Sequence, residues 1–268
     1  MKKTIIFLCI GLLCFMYSFA EATCFLAKED NHVIKSEGDC GARHAPCSTF
    51  KIAISLMCYN EGLLVDETHP ELPFREGYVD FLDNWKQAHT PRLWMKNSCV
   101  WYSQLLTQEL GMDKFNEYVT KFSYGNQDIS GDIGKDNGLT QSWLSSSLQI
   151  SPEEQIQFLQ KLIDIKLPVS IKSHEMTINI LFVEYLADGW KFYGKTGNGY
   201  VPNQDGTLNE DRQGGWFIGW IQKDNHTITF AQYIQDEEKQ DTPASMHAKA
   251  AAKEKLTEII QSYTDGNS

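Results

Sequence analysis

The strongest limit on the fold of this chain is the order in which two periodicities appear. Residues 48–59 (STFKIAISLMCY), 98–110 and 112–121 carry helical patterning, the last two separated by Gly111. Segments rich in β-branched and aromatic residues then arrive together at 190–196, 214–222 and 226–234, with Asp224-Asn225 as a hairpin link between the last two. Helices in the middle, consecutive strands late and a closing Ala-rich helix (245–263) predict an α+β fold, an antiparallel sheet flanked by helices. An alternating βαβ arrangement is disfavoured. An early strand is expected around 23–35, with its order open.

Punctuation supports this outline. In 48–59, Ile52, Ile54, Leu56 and Met57 leave the helix apolar nearly all round, so it is expected to be buried, and Asn60-Glu61-Gly62 stops it. Ser151-Pro152-Glu153-Glu154 joins a capping serine, a first-turn proline and a glutamate three residues on, which starts a helix ending before Pro168. Gly125 to Gly138 is too polar to pack as an element and is expected to be a loop.

The first residues have a different purpose. Met1-Lys2-Lys3, an apolar run from Ile5 to about Tyr17 and then Ser18-Phe19-Ala20 describe a secretory signal peptide over 1–20, leaving 21–268 as one catalytic domain. Cleavage also removes Lys2 and Lys3, leaving 22 basic against 35 acidic residues and moving the formal charge from −11 to −13. Such a surface repels phosphate backbones, so nucleic acid is excluded as a partner. The mature product is expected to be soluble, free of the membrane and secreted, in the periplasm.

Five cysteines survive cleavage: Cys24, Cys40, Cys47, Cys58 and Cys99. Cys40 and Cys47 flank a short loop and are the favoured disulfide pair, with Cys58 a buried free thiol on its helix. A zinc site on Cys40, Cys47 and His44 lacks a fourth ligand, and the histidines show no HxH or HExxH spacing, so no metal is expected.

The chemistry starts at Ser48-Thr49-Phe50-Lys51. Ser-x-x-Lys puts a hydroxyl and an amine on one face of a helical turn, and a serine needs a neighbouring base to become a nucleophile. Lysine can be that base if burial lowers its pKa from ~10.4. The bland alternative is a capping Ser48 with a solvated Lys51, and a chain of this length holds roughly one such spacing by chance. Lys195-Thr196-Gly197 adds a second signal, a cation and a hydroxyl at a strand end beside a glycine.

These motifs, with Ser98-Cys99-Val100, Tyr124-Gly125-Asn126, Trp143-Leu144 and the Gly215–Trp220 segment, resemble the class D (oxacillinase-type) serine β-lactamases of the penicillin-interacting superfamily. The Ser-Asp-Asn motif of class A is absent. The resemblance spans the chain from about residue 22 and implies an all-helical subdomain beside the sheet. It also implies a β-lactam small-molecule substrate, penicillins of the oxacillin type, and a role in antibiotic resistance. Ser48 would attack the lactam carbonyl. Lys51 would carry a carbamate formed with CO2 or bicarbonate, the sole cofactor, steadied by the Trp143 indole. Ser98 would pass a proton to the leaving nitrogen, and Val100 would keep the lysine pocket dry. Lys195, Thr196 and Gly197 would face the substrate carboxylate, and the backbone N–H groups of Ser48 and Asn198 would form an oxyanion hole. Tyr124 and Val100 would also count among the substrate-binding residues, and Tyr124 and Asn126 would shape the site.

One departure stands out. Many members place an arginine on or after the last strand to bind that carboxylate, and none occurs between Gln213 and Ser268. Lys249 or Lys253 could substitute, without the bidentate fork of an arginine. Two other readings share the Ser–Lys pair: a penicillin-binding D,D-peptidase, and a β-lactam sensor domain that is acylated once and stays so. The compact length and the signal segment favour the hydrolase.

Overall fold

A computed structural model describes residues 23–203 and 207–265. The predicted signal segment, 1–20, lies outside these. The chain opens with strands β1 (Cys24–Glu29) and β2 (His32–Gly38), followed by a 3₁₀ turn (Cys47–Phe50) and helix α1 (Lys51–Asn60). The helical middle comprises α2 (Pro91–Asn97), α3 (Val100–Leu110), α4 (Met112–Phe122), the short α5 (Gly138–Gln141), α6 (Pro152–Ile163) and α7 (Ile171–Ile180). Strands β3 (Phe182–Tyr185), β4 (Lys191–Pro202), β5 (Leu208–Lys223) and β6 (His226–Asp236) precede the closing helix α8 (Ala244–Asp265). All six strands form one antiparallel sheet in the order β2-β1-β6-β5-β4-β3.

Alternation along β5 explains the layers. Phe217 and Ile221 point to one face, where they join Phe25, Phe192 and Phe230 beneath Ala248, Ala252 and Leu256 of α8. Trp216, Ile218 and Trp220 point to the other, into a core shared with α1, α3, α4 and α6. Each large apolar side chain buried in this way contributes about 1.5–3 kcal/mol. The α+β arrangement thus comes from a sheet whose two faces are both covered, one by a single helix and one by the helical middle.

Most boundaries follow the local chemistry. Ser151 accepts from the Glu154 amide while Glu154 accepts from the Ser151 amide, a complete capping box at the start of α6. β4 and β5 run further than the apolar pattern implied, because beyond Gly199 they continue as a largely exposed two-stranded ribbon. Residues 48–59 divide into a 3₁₀ turn and α1, and that break sets up the site.

The cysteine pairing differs from expectation: Cys24, not Cys47, is bonded to Cys40. The register of β1 on β2 is the cause. Cys24 lies opposite Gly38, and the Asp39 amide donates to Thr23 O at 3.0 Å, so Cys40 emerges beside Cys24. The stretch from Cys40 to Cys47 then runs alongside 143–153, tied by Glu153 N to Cys40 O (3.2 Å), by His44 to Ile150 and by Cys47 N to Trp143 O (2.9 Å). Cys40 and Cys47 are held at opposite ends of that ladder. Cys47, Cys58 and Cys99 are free and buried, His44 stacks on Tyr233, and the described residues contain no cluster of metal-ligating side chains. Closing a loop of this size is worth about 3 kcal/mol, so Cys24→Ser is expected to lower the denaturation midpoint, and reductant to shift the native protein to the same value.

Candidate active site

The turn that carries the nucleophile is fixed at several points. Cys47 adopts a left-handed conformation (φ 49°) and turns the chain into the 3₁₀ segment. Pro46 O accepts both the Thr49 amide (3.1 Å) and Thr49 Oγ1 (2.7 Å). Gly197 of β4 packs against the same carbonyl, where a Cβ would stand 2.7 Å from Pro46 O. This glycine therefore lets the strand lie against the nucleophile turn, a tighter requirement than room for a substrate.

Ser48 lies inside the 3₁₀ turn, whose cap is Pro46, and Lys51 is buried, which removes the bland reading of the motif. Its Oγ accepts a hydrogen bond from Lys51 Nζ at 3.0 Å. Lys51 is fully buried, and desolvation lowers its pKa from 10.5 to about 8, with the Cys99 and Cys47 thiols opposing the fall. Near neutral pH a useful fraction is then uncharged amine, the form that can take up a proton. Ser48, at 8% exposure, is the edge of this pair nearest solvent.

Ser98 comes from the end of α2 rather than the head of α3, as its C-cap in a left-handed conformation (φ 59°, ψ 30°). Lys195 Nζ donates to Ser98 Oγ at 2.8 Å, to Thr196 O at 2.9 Å and to Thr196 Oγ1 at 3.3 Å, which uses the three hydrogens of an ammonium. Burial, then the charges of Lys51 and Lys249, pull its pKa down. Two buried lysines thus lie close enough for the charge of Lys51 to oppose that of Lys195.

Val100 is buried at the first turn of α3. Trp143 is wholly buried, its ring 5.7 Å from that of Phe50, and its indole Nε1 has no hydrogen-bond partner among the described residues. Asn198 spends its side chain on structure: Oδ1 accepts the Ser245 amide at the start of α8, and Nδ2 donates to Gln213. Only its backbone is left for a ligand.

The Tyr124-Gly125-Asn126 motif needs correction as a substrate contact. Tyr124 is 1% exposed, wedged edge-on between Phe50 and Phe158, with its hydroxyl donating to Gln155 Oε1. Gly125 has φ +54° and no room for a Cβ beneath Gln149 O. Asn126 Nδ2 donates to Ser147 O, and its Oδ1 accepts from the Gln149 and Asp128 amides. The motif fastens the loop that carries Trp143, and Tyr124 supports the nucleophile turn from beneath.

Of the two candidate cations, Lys253 is engaged by Glu184 at 2.8 Å. Lys249 has no carboxylate partner among the described residues and sits over the Phe217 ring. It lines a cavity of about 520 Å³ with Lys195, Thr196 and Phe217. Sequence reasoning missed Thr49 and Gln155, both buried under the turn. A signal was present: Gln155 is the polar member of an i, i+3, i+4, i+7 set with Phe158, Leu159 and Leu162.

A serine bonded to a buried lysine, and a second serine bonded to Lys195 within β4, are arranged as a serine acyl-transfer site would need. Residues 29–261 match the family model described as penicillin binding protein transpeptidase domain. The chain is 44% identical over 214 residues to the β-lactamase OXA-9 of Klebsiella pneumoniae, covering 79% of this chain and 78% of that protein. It is 40% identical over 218 residues to the β-lactamase OXA-1 of Escherichia coli, covering 81% and 76%. The crystal structure of the class D β-lactamase OXA-427 superposes with a TM-score of 0.85 at 45% identity, over 90% of this chain and 99% of that one. The chain belongs to the class D β-lactamases.

Proposed function

We propose that residues 21–268, exported to the periplasm by removal of 1–20, form a single domain that opens penicillins of the oxacillin type, and that Lys51 works as its CO2 carbamate. The observation that carries this reading is the Lys51 Nζ–Ser48 Oγ bond, with the lysine fully buried. Ser48 loses its proton to Lys51 as its Oγ bonds to the lactam carbonyl carbon, the ring C–N bond breaks, and a proton relayed through Ser98 ends on the nitrogen. The Ser48 and Asn198 amides would hold the developing oxyanion. Water then displaces Ser48 and releases the opened product.

Two features of the pocket fit a carbamate on Lys51. The Trp143 indole N–H is a buried donor without an acceptor among the described residues, a costly state that a carbamate oxygen would relieve. Lys51 and Lys195 also oppose one another as cations, whereas an anion at Lys51 would attract Lys195. Only a neutral amine attacks CO2, and burial supplies one. The group would provide a carboxylate-like general base for acylation and deacylation.

Stopped-flow mixing with benzylpenicillin tests the whole assignment. Repeated turnover is expected, and one equivalent of product followed by a stable adduct would instead indicate the sensor reading. Lys249 stands beside Lys195 and Thr196 with no carboxylate partner among the described residues. Lys249→Ala is accordingly expected to raise KM about tenfold, the worth of a bond to a charged group, with kcat within about twofold. An unchanged KM removes Lys249 from carboxylate binding.

A further inference from the structure

Thr49 and Gln155 take no part in the chemistry above, yet both are buried directly behind the nucleophile, at 1% and 0% exposure. Gln155 reaches across from the first turns of α6. Its Nε2 donates to Thr49 Oγ1 at 3.0 Å, and its Oε1 accepts the Tyr124 hydroxyl at 3.4 Å. Thr49 Oγ1 in turn donates a hydrogen bond to Pro46 O at 2.7 Å. One path of hydrogen bonds therefore runs from Tyr124 and α6 to the carbonyl two residues before Ser48. Each group in it is used in the sense its chemistry allows, an amide donor to a hydroxyl and a hydroxyl donor to a carbonyl.

The turn needs such a tether. Cys47 holds a left-handed φ that a side-chain-bearing residue adopts only under constraint. Ser48 has no capping bond of its own, and its Oγ depends on the backbone around it for direction. We propose that Gln155 and Thr49 are positioning residues that hold the Pro46–Phe50 turn so that Ser48 Oγ stays on Lys51 Nζ and aimed at the lactam carbonyl. This rests on Ser48 being the acylated residue. The relay touches no substrate, so it governs the rate of acylation and leaves binding alone.

Single-turnover acylation of the full chain by benzylpenicillin separates these quantities, with adduct mass read in parallel. Thr49→Val keeps shape and removes the hydroxyl, whereas Thr49→Ser keeps the hydroxyl and removes a methyl. Thr49→Val and Gln155→Met are each expected to slow acylation on the order of tenfold to a hundredfold, the scale set by small misplacements of a reacting group. Saturation by penicillin should stay within about twofold, and Thr49→Ser should recover most of the rate. The double variant should be no slower than the slower single one, since both cut one path. The inference is overturned if Thr49→Val acylates at the native rate, or if the two losses multiply. Should Gln155→Met fail to fold, the isosteric Thr49→Val still decides. A native protein that is never acylated would sink the proposed function itself, a different result from native acylation with an equally fast Thr49→Val.

Discussion

Lys51→Met is expected to stop turnover while leaving a folded protein. Steady-state hydrolysis of benzylpenicillin should fall on the order of 10²- to 10⁴-fold, the usual worth of a general base. Ser48 should still be acylated, slowly, and its adduct should persist in the mass spectrum for hours. The native enzyme should lose activity as the pH falls below about 8, where the Lys51 amine takes up a proton. Added bicarbonate should restore part of that loss. An adduct that clears at the native rate in the variant would remove Lys51 from deacylation, and indifference to bicarbonate would remove the carbamate.

The same residue carries a stability cost whose sign can be checked. The folded pKa of Lys51 lies below its unfolded value of 10.5, at about 8. Between those values the unfolded chain binds more protons, so native stability rises with pH across that window. Below it the penalty is fully present. With CO2 removed, Lys51→Met should therefore melt a few degrees above the native protein at pH 7, and the gap should close as the pH approaches 10.5. The buried amine is kept at the expense of stability, as expected of a group that does chemistry.

The fold was largely legible because its signals are local. The three late strands, the capping box at Ser151 and the Asp224-Asn225 hairpin each follow from residues within a few positions of one another. Helices α2 and α7 were not read, although Thr90-Pro91 and Ser170 cap them just as Ser151 caps α6. β3 is a four-residue edge strand, too short for a period. What the sequence could not supply is register. The Cys24–Cys40 bond follows from Cys24 lying opposite Gly38, a pairing that no spacing among cysteines encodes. Tyr124 went the same way. Its neighbours in sequence suggest a site-lining loop, and only the approach of α6 shows that it is enclosed. By contrast Ser48, Lys51, Ser98 and Lys195 meet as two hydrogen-bonded pairs, the first set by helical spacing and the second by tertiary contact alone.

Trp143→Phe should produce the second large loss, and for a reason distinct from packing. Phenylalanine retains most of the buried aromatic surface against Phe50 and Phe115, and it deletes the one polar atom of the indole. In the unmodified protein that atom has no partner among the described residues, so its loss costs no hydrogen bond, and the melting temperature should fall only by the small amount that the vacated ring volume sets. A carbamate at Lys51 would accept that N–H, and without the bond it should be lost more readily to the pocket. Deacylation should therefore slow on the order of 10- to 100-fold, within the range for a buried bond to a charged group. The decisive readout is the bicarbonate dependence. Mass action should let high bicarbonate refill Lys51, so the variant's rate should climb over a concentration range where the native enzyme is already saturated. If Trp143→Phe lowers the rate and bicarbonate does nothing, the indole acts by shaping the pocket, and the lysine base needs another anchor.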